Sequence, residues 1–116
     1  MAAKNYKVEV KEAKGSCNSD LFKKMAQNGD LSATQVKSAI GKVVTITGYA
    51  TCHISTDDKE FDMTYYATEE GILSSGSAIF KSSVEEYIDS AKRFLIKEVK
   101  TGKGTTFKVT PILSEE

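Results

Sequence analysis

The alternation of apolar and polar residues predicts β-strands along most of the chain. Residues 6–11 alternate apolar with charged side chains, as in a strand with one buried face. Residues 43–54 show the strongest strand pattern, and residues 60–67 form the predicted neighbouring strand across a polar turn. Residues 94–100 and 105–112 predict two further strands, joined as a hairpin by a turn that contains two glycines.

Helical patterns interrupt this series of strands. Residues 21–27 predict a short helix, and residues 32–41 predict a second helical piece, although the two could instead form one irregular loop that contains a helix. Residues 72–80 are rich in serine and glycine, which is typical of a short strand that leads into a loop. A Ser-x-x-Glu capping box then predicts a helix over residues 83–93.

The strand at residues 43–54 is predicted to have one small, apolar face and one threonine-rich face. Even-numbered residues form the apolar face, because neighbouring side chains of a strand point to opposite sides. Tyr49 and His53 lie on the other face, and Tyr66 of the next strand is assigned to the same exposed side. Gly48 is typical of a bend or a β-bulge. Four other aromatic residues have apolar neighbours and are predicted to lie in the core: Phe61, Tyr65, Tyr87 and Phe107.

This order of elements predicts a mainly β fold. The pattern favours a five-stranded barrel of the OB type, with a helix before the last two strands and a helical insert after the first strand. The chain has 116 residues, no internal repeat and no linker, so we expect one domain over residues 1–116.

Charge is unevenly distributed along a chain whose net charge is zero. Residues 57–90 contain nine acidic and two basic residues, whereas residues 91–110 contain six basic residues and one acidic residue. Four lysines of the predicted hairpin make this region basic: Lys97, Lys100, Lys103 and Lys108. A basic surface beside aromatic faces is typical of proteins that hold single-stranded nucleic acid.

The sequence contains no recognisable catalytic or metal-binding motif. Cys52 and His53 are adjacent and point to opposite faces of a strand, and Cys17 lies far away, which disfavours both a zinc site and a nucleophile–base pair. The segment 102–106 lacks the spacing of a phosphate-binding loop and lies between two strands. The acidic residues at 57–62 are interpreted as a solvated turn. We therefore expect no enzymatic activity, no metal and no cofactor.

Two absences bear on location. The chain has no run of about 18 apolar residues, as a membrane span requires. Its first residues lack the apolar core of a signal peptide. We therefore expect a cytoplasmic protein that does not span a membrane.

From Val43 to Leu113, the chain resembles the small single-stranded DNA-binding proteins of bacteriophages that infect Gram-positive bacteria. The resemblance depends on the order of five segments: VVTITGYATCHI, YYATEEG, ILSSGSAIF, SSVEEYIDSA and FLIKEVKTGKGTTFKVTPIL. These segments lie within about the final two-thirds of the chain. The chain differs from larger bacterial relatives in having no tryptophan, which is the strongest stacking residue.

The resemblance implies an OB-like protein that coats single-stranded DNA during phage replication or recombination, without strong sequence preference, in the host cytoplasm. Base stacking would fall to Tyr49 and Tyr66, with His53 on the same face, and phosphate contacts to the four hairpin lysines. The expected partners are single-stranded DNA and replication or recombination proteins. Dimers are common among such proteins, and an edge strand could mediate one.

A protein-interaction module is the alternative. Such a module would dock a partner through an edge strand or through the acidic helix. The two functions differ in what they expose, because stacking requires tyrosines and lysines on one concave face, whereas docking requires an exposed apolar patch.

Overall fold

The computed structural model describes residues 6–28 and 32–112. The chain forms a curled, half-barrel mixed sheet, so the predicted mainly β, barrel-like class is confirmed, although the sheet has seven strands and not five. The strands are β1 (Tyr6–Gly15), β2 (Ala33–Gln35), β3 (Val43–Thr56), β4 (Glu60–Thr68), β5 (Gly71–Ser75), β6 (Arg93–Thr101) and β7 (Gly104–Pro111). The α-helices are α1 (Asp20–Asn28) and α2 (Ala78–Tyr87), and short 3-10 turns occupy Ser16–Asn18 and Val36–Ala39. Within the described residues, neither α-helix is long and apolar enough to cross a membrane.

The long strand β3 organises the sheet. One edge of β3 pairs with β4, while the other edge pairs first with β6, over residues 43–45, and then with β1, over residues 48–56. β5 lies between β4 and the short parallel strand β2, and β7 pairs with β6. Among the described strands, β5 and β7 do not pair with each other, so the barrel is open between them.

A β-bulge in β3 determines which of its side chains face the main core. The register between β3 and β4 shifts between Ile46 and Gly48. Ile46, which precedes the shift, and Tyr49, which follows it, both belong to the main core, the principal cluster of buried apolar residues. Cys52 and Ile54 are buried outside this cluster. One extra residue therefore reverses the alternation of faces along the second half of the strand.

The predicted exposure of the two tyrosines is consequently wrong. Tyr49 is 3% exposed and Tyr66 is 0% exposed. The two residues lie opposite each other in the β3–β4 pair, with ring centroids 6.3 Å apart, and the Tyr66 ring meets Phe80 edge-on at 5.0 Å. Conversely, the four aromatic residues assigned to the core are only partly buried: Phe61, Tyr65, Tyr87 and Phe107.

The helices are confirmed in part. The first predicted helix is α1, but residues 32–41 contain β2 and a 3-10 turn in place of a second helix. The N-cap of α2 is Ser77, whose hydroxyl accepts a hydrogen bond from the Phe80 backbone N–H, so the predicted cap Ser83 lies inside the helix. The Ser83 hydroxyl donates to the Phe80 carbonyl and accepts from the Val109 N–H, which joins α2 to the edge of β7.

The bulge depends on a close approach of two glycines, which generates a stability prediction. Gly15, with φ 66°, pairs with Gly48, and a Cβ on Gly48 would lie 2.5 Å from the Ser16 nitrogen and collide with the Lys14 carbonyl. We expect Gly48→Ala to lower the free energy of unfolding by about 1–3 kcal/mol, because backbone atoms cannot move aside cheaply. Urea denaturation followed by circular dichroism measures the change. The control is Gly102→Ala, since a Cβ there meets nothing within 4 Å; equal losses in both variants would contradict the prediction.

Candidate nucleic-acid interface

The β6–β7 hairpin carries four exposed lysines. Lys97 lies directly opposite Lys108 in the register of the two strands. Lys100 and Lys103 lie nearer the turn. Within residues 6–28 and 32–112, none of the four forms an ion pair with a carboxylate. Side chains directly opposite in a sheet have Cβ atoms about 5 Å apart, so two unpaired lysines there repel each other.

A groove of about 600 Å³ lies between this hairpin and α2. Lys97 and Lys108 line its hairpin wall, and Ile79 and Tyr87 line its helix wall. Tyr87 packs against the main core but is only partly buried, so it contributes aromatic surface to the groove. Glu86 is the one acidic residue of the described lining. We call this concavity the basic groove.

Tyr49 helps to hold the helix wall of this groove in place. Its hydroxyl donates to Glu85 Oε2 at 3.3 Å, and burial, together with the nearby Glu85 carboxylate, raises the pKa of Tyr49 to about 12. Lys81 Nζ lies 5.9 Å from the Tyr49 ring centroid and donates to Glu12 Oε1 at 2.9 Å and to Glu85 Oε2 at 3.0 Å. Partial burial opposes the charge of Lys81, but these carboxylates leave its pKa raised. The cluster therefore ties α2 to β1 and β3.

The predicted site residues lie in four separate places. Lys97 and Lys108 line the basic groove, and Lys100 and Lys103 are exposed near the hairpin turn. Tyr49 and Tyr66 are in the core, and His53 is near the far end of β3. The structure thus brings lysines together with Tyr87, which sequence reasoning assigned to the core. Apolar spacing along a helix identifies the side that packs inward, but it cannot show that a groove opens beside that side.

His53 is held between two carboxylates. Its Nδ1 lies 2.8 Å from Asp62 Oδ1, and its Nε2 lies 2.9 Å from Glu60 Oε1. The hydrogen bond with Asp62, followed by that with Glu60, raises the pKa of His53. Because the two ring nitrogens point in different directions, the carboxylates flank the ring and do not converge on one point. Among the described residues, no group of three or more histidine, cysteine, aspartate or glutamate side chains could hold a metal ion.

The acidic turn at residues 57–59 and the basic hairpin lie at opposite ends of β3. The turn at residues 57–59 follows the last residue of β3, whereas β6 continues past the first residue, because Leu95 pairs with Val43 in antiparallel register. β3 has 14 residues, and a strand rises about 3.3 Å per residue. The distance between the turn at residues 57–59 and the hairpin therefore exceeds the electrostatic screening length, which is about 8 Å at physiological ionic strength. The charges of this turn consequently do not neutralise those of the hairpin.

The ion-paired histidine generates a pH prediction. The pKa of His53 is raised above 6.5 in the folded protein, so its protonated form stabilises the fold at low pH, and this contribution is lost as the pH rises through the folded-state pKa. We expect the stability of the wild type relative to His53→Gln to fall as the pH increases from 6.5 upward. Urea denaturation at a series of pH values measures this difference.

An NMR titration provides the control, because His53 is the only histidine of the chain. Asp62→Asn removes the principal hydrogen-bond partner and should lower the pKa of His53. Identical titration curves for Asp62→Asn and wild type would show that the ion pair is absent in solution.

Three comparisons place these features in context. The chain matches no protein-family model, no curated protein and no solved structure. No relative therefore transfers a role to any residue of this chain.

Proposed function

We propose that this protein binds single-stranded DNA without strong sequence preference and acts without catalysis, as a DNA-coating protein. The observation that carries the proposal is the pair Lys97 and Lys108, which lie opposite each other in a groove that also contains Tyr87 and have no carboxylate partner among the described residues. A bound phosphate would relieve the repulsion between the two ammonium groups. The tyrosine would offer a surface to a base, and this combination of cations and aromatic surface is how single strands are held without sequence readout.

The proposal favours a single strand over a duplex. Bases of a duplex are stacked on one another and reach a protein side chain only after they are extruded, which costs a few kcal/mol. An aromatic residue at the wall of a groove therefore serves unpaired bases best. The resemblance to bacteriophage proteins supports DNA as the nucleic acid, phage replication or recombination as the process, and the host cytoplasm as the location.

The connectivity supports an OB-like barrel as the basis of this function. β3, β4 and β5, followed by α2 and then β6 and β7, have the strand–helix order of that fold, to which β1 and β2 are additions. In this interpretation, α2 covers the edge of β7 through the bond between Ser83 and the Val109 N–H, where a closed barrel would have a strand pair.

Protection of a sheet edge is a weaker explanation for the lysines. Lysines on an exposed edge strand discourage edge-to-edge aggregation. The edge of β7 is already in contact with α2 at Val109. Lys97 also lies on β6, which is paired with β7 along this segment. Neither lysine is therefore needed to protect an open edge at that position.

An exposed apolar surface favours a second candidate, the docking of a protein partner. Ile40 is 38% exposed and Val43 is 42% exposed. Val43 also lines a groove of about 550 Å³ together with Ile72 and Leu73. Absence of DNA binding, combined with a partner interaction that Val43→Asp abolishes, would favour this function over DNA binding.

The basic groove predicts a salt dependence that two lysines control. We expect binding of a labelled dT oligonucleotide, measured by fluorescence anisotropy, to weaken steeply with salt and to exceed binding of a duplex. Changing Lys97→Ala and Lys108→Ala together should reduce the magnitude of the slope of log K against log[salt] by about 1.4, because each phosphate contact to a single strand contributes about 0.7.

The matched control removes two lysines of β1, with Lys7→Ala and Lys11→Ala. Both are exposed and have no ion pair among the described residues, so the change in net charge is the same. We expect this control to keep the wild-type slope. Two outcomes would refute the assignment of the groove lysines. Either the slope is reduced in the control alone, or both double variants keep the wild-type slope.

Tyr87 is predicted to supply the stacking surface. Tyr87→Leu should weaken binding of the dT oligonucleotide by about 1–3 kcal/mol, the range for loss of one stacked base. Tyr87→Phe keeps the ring and should bind nearly as the wild type does. Thermal unfolding of both variants separates binding from stability, because Tyr87 also packs against the core. Equal affinities for all three proteins would remove Tyr87 from the interface.

A further inference from the structure

A second hollow lies at the opening of the half-barrel. It has a volume of about 190 Å³ and is lined by Met63 of β4, Ser75 of β5, Phe107 of β7 and Lys37 of the 3-10 turn after β2. Phe107 packs against the main core and is only partly buried, as is Tyr87 in the basic groove. Lys37 is exposed and forms no ion pair within the described ranges. We call this concavity the second hollow.

The second hollow and the basic groove are adjacent. Phe107 of β7 lines the second hollow, and residues 108–111, which follow it along the chain, line the basic groove. Gly76 likewise lines the second hollow, while Ala78 lines the basic groove. Between these residues, the Ser77 hydroxyl lies 3.2 Å from the Thr106 hydroxyl, so one contact between the start of α2 and β7 separates the two concavities. A DNA strand that occupied both concavities would pass over this contact.

Both concavities combine the same chemical features. Each has a partly buried aromatic side chain that packs against the core and also lines the concavity, and each has at least one lysine that forms no ion pair with a described residue. The second hollow adds the Met63 thioether, which makes favourable contacts with aromatic rings. Gln35 and Ser75 supply amide and hydroxyl groups that can bond to polar edges. These features suit a nucleobase attached to a phosphate.

A peptide strand fits this place less well. β5 already pairs with β2 through Ser74, so little of its free edge remains beside the second hollow. Strand addition requires a row of unpaired backbone groups. The available edge of β5 is too short to provide one.

We propose that the second hollow binds a further base of the same DNA strand, with Phe107 as the aromatic contact and Lys37 as a phosphate contact. This inference rests on the proposed single-stranded DNA binding. The segment that precedes β3 would then have a function, because β2 and the 3-10 turn after it place Lys37 across the opening of the half-barrel from the hairpin.

The length dependence of binding tests the inference. We compare the wild type with the double variant Lys37→Ala, Phe107→Leu. The affinity of each protein is measured for dT oligonucleotides of increasing length, up to about 16 nucleotides, the upper end of the site size for one OB fold. We expect the variant to match the wild type on the shortest oligonucleotides that bind. On the longest it should bind at least about fivefold more weakly, as loss of one stacked base predicts.

The control is Lys24→Ala, which removes an exposed lysine of α1 outside both concavities and should change neither end of the series. Wild-type affinity of the Lys37 and Phe107 variant at every length would overturn the second hollow and leave the proposed function intact. Failure of the wild-type protein to bind any oligonucleotide would overturn both.

Photocrosslinking provides a test that does not depend on the stability of a variant. Oligonucleotides with one 5-bromodeoxyuridine at successive positions are irradiated with the wild-type protein, and the adducts are mapped by mass spectrometry. We expect adducts at Tyr87 from some positions and at Phe107 or Met63 from others. Adducts at Tyr87 alone would overturn the second hollow while supporting the basic groove.

Discussion

The architecture depends on the close backbone approach of β1 and β3 at Gly15 and Gly48. There is no room for a Cβ at either position, because the opposing atoms belong to the backbone. β3 bulges at this point, and its edge changes partner from β6 to β1. One strand can therefore support two parts of the curled sheet, and its two halves present opposite parities of side chains to the main core.

Helix α2 converts this sheet into a surface with concavities. Ser83 bonds to the edge of β7, and Lys81 and Glu85 bond to groups of β1 and β3. The helix is thus fixed on two sides, by a neutral hydrogen bond and by a partly buried charged cluster. Between these attachments its exposed residues form one wall of the basic groove. The proposed function depends on this rigid placement, because stacking and phosphate contact require lysines and an aromatic residue at a fixed separation.

The distribution of charge suits the proposed binding of a polyanion by a protein whose net charge is zero. Acidic residues around His53 lie at one end of β3, and the lysines of the hairpin extend beyond the other end. Separation by more than a screening length lets the hairpin act as a local cationic surface. Zero net charge limits nonspecific attraction, so affinity would come from the few lysines that contact phosphates.

Local patterns in the sequence determined the first helix, the basic hairpin, the barrel-like class and every described strand except β2, because these depend on neighbouring residues. They also predicted correctly that the even-numbered residues of β3 are buried, but they did not predict that Tyr49 is buried as well. A β-bulge beside Gly48, where β3 meets Gly15 on a strand more than 30 residues away in the chain, turns Tyr49 toward the main core. The same long-range packing buried Tyr49 and Tyr66 and left Tyr87 and Phe107 beside open concavities. Tertiary structure thus decided which aromatic residues are available to a ligand, since exposure depends on contacts that no local pattern contains.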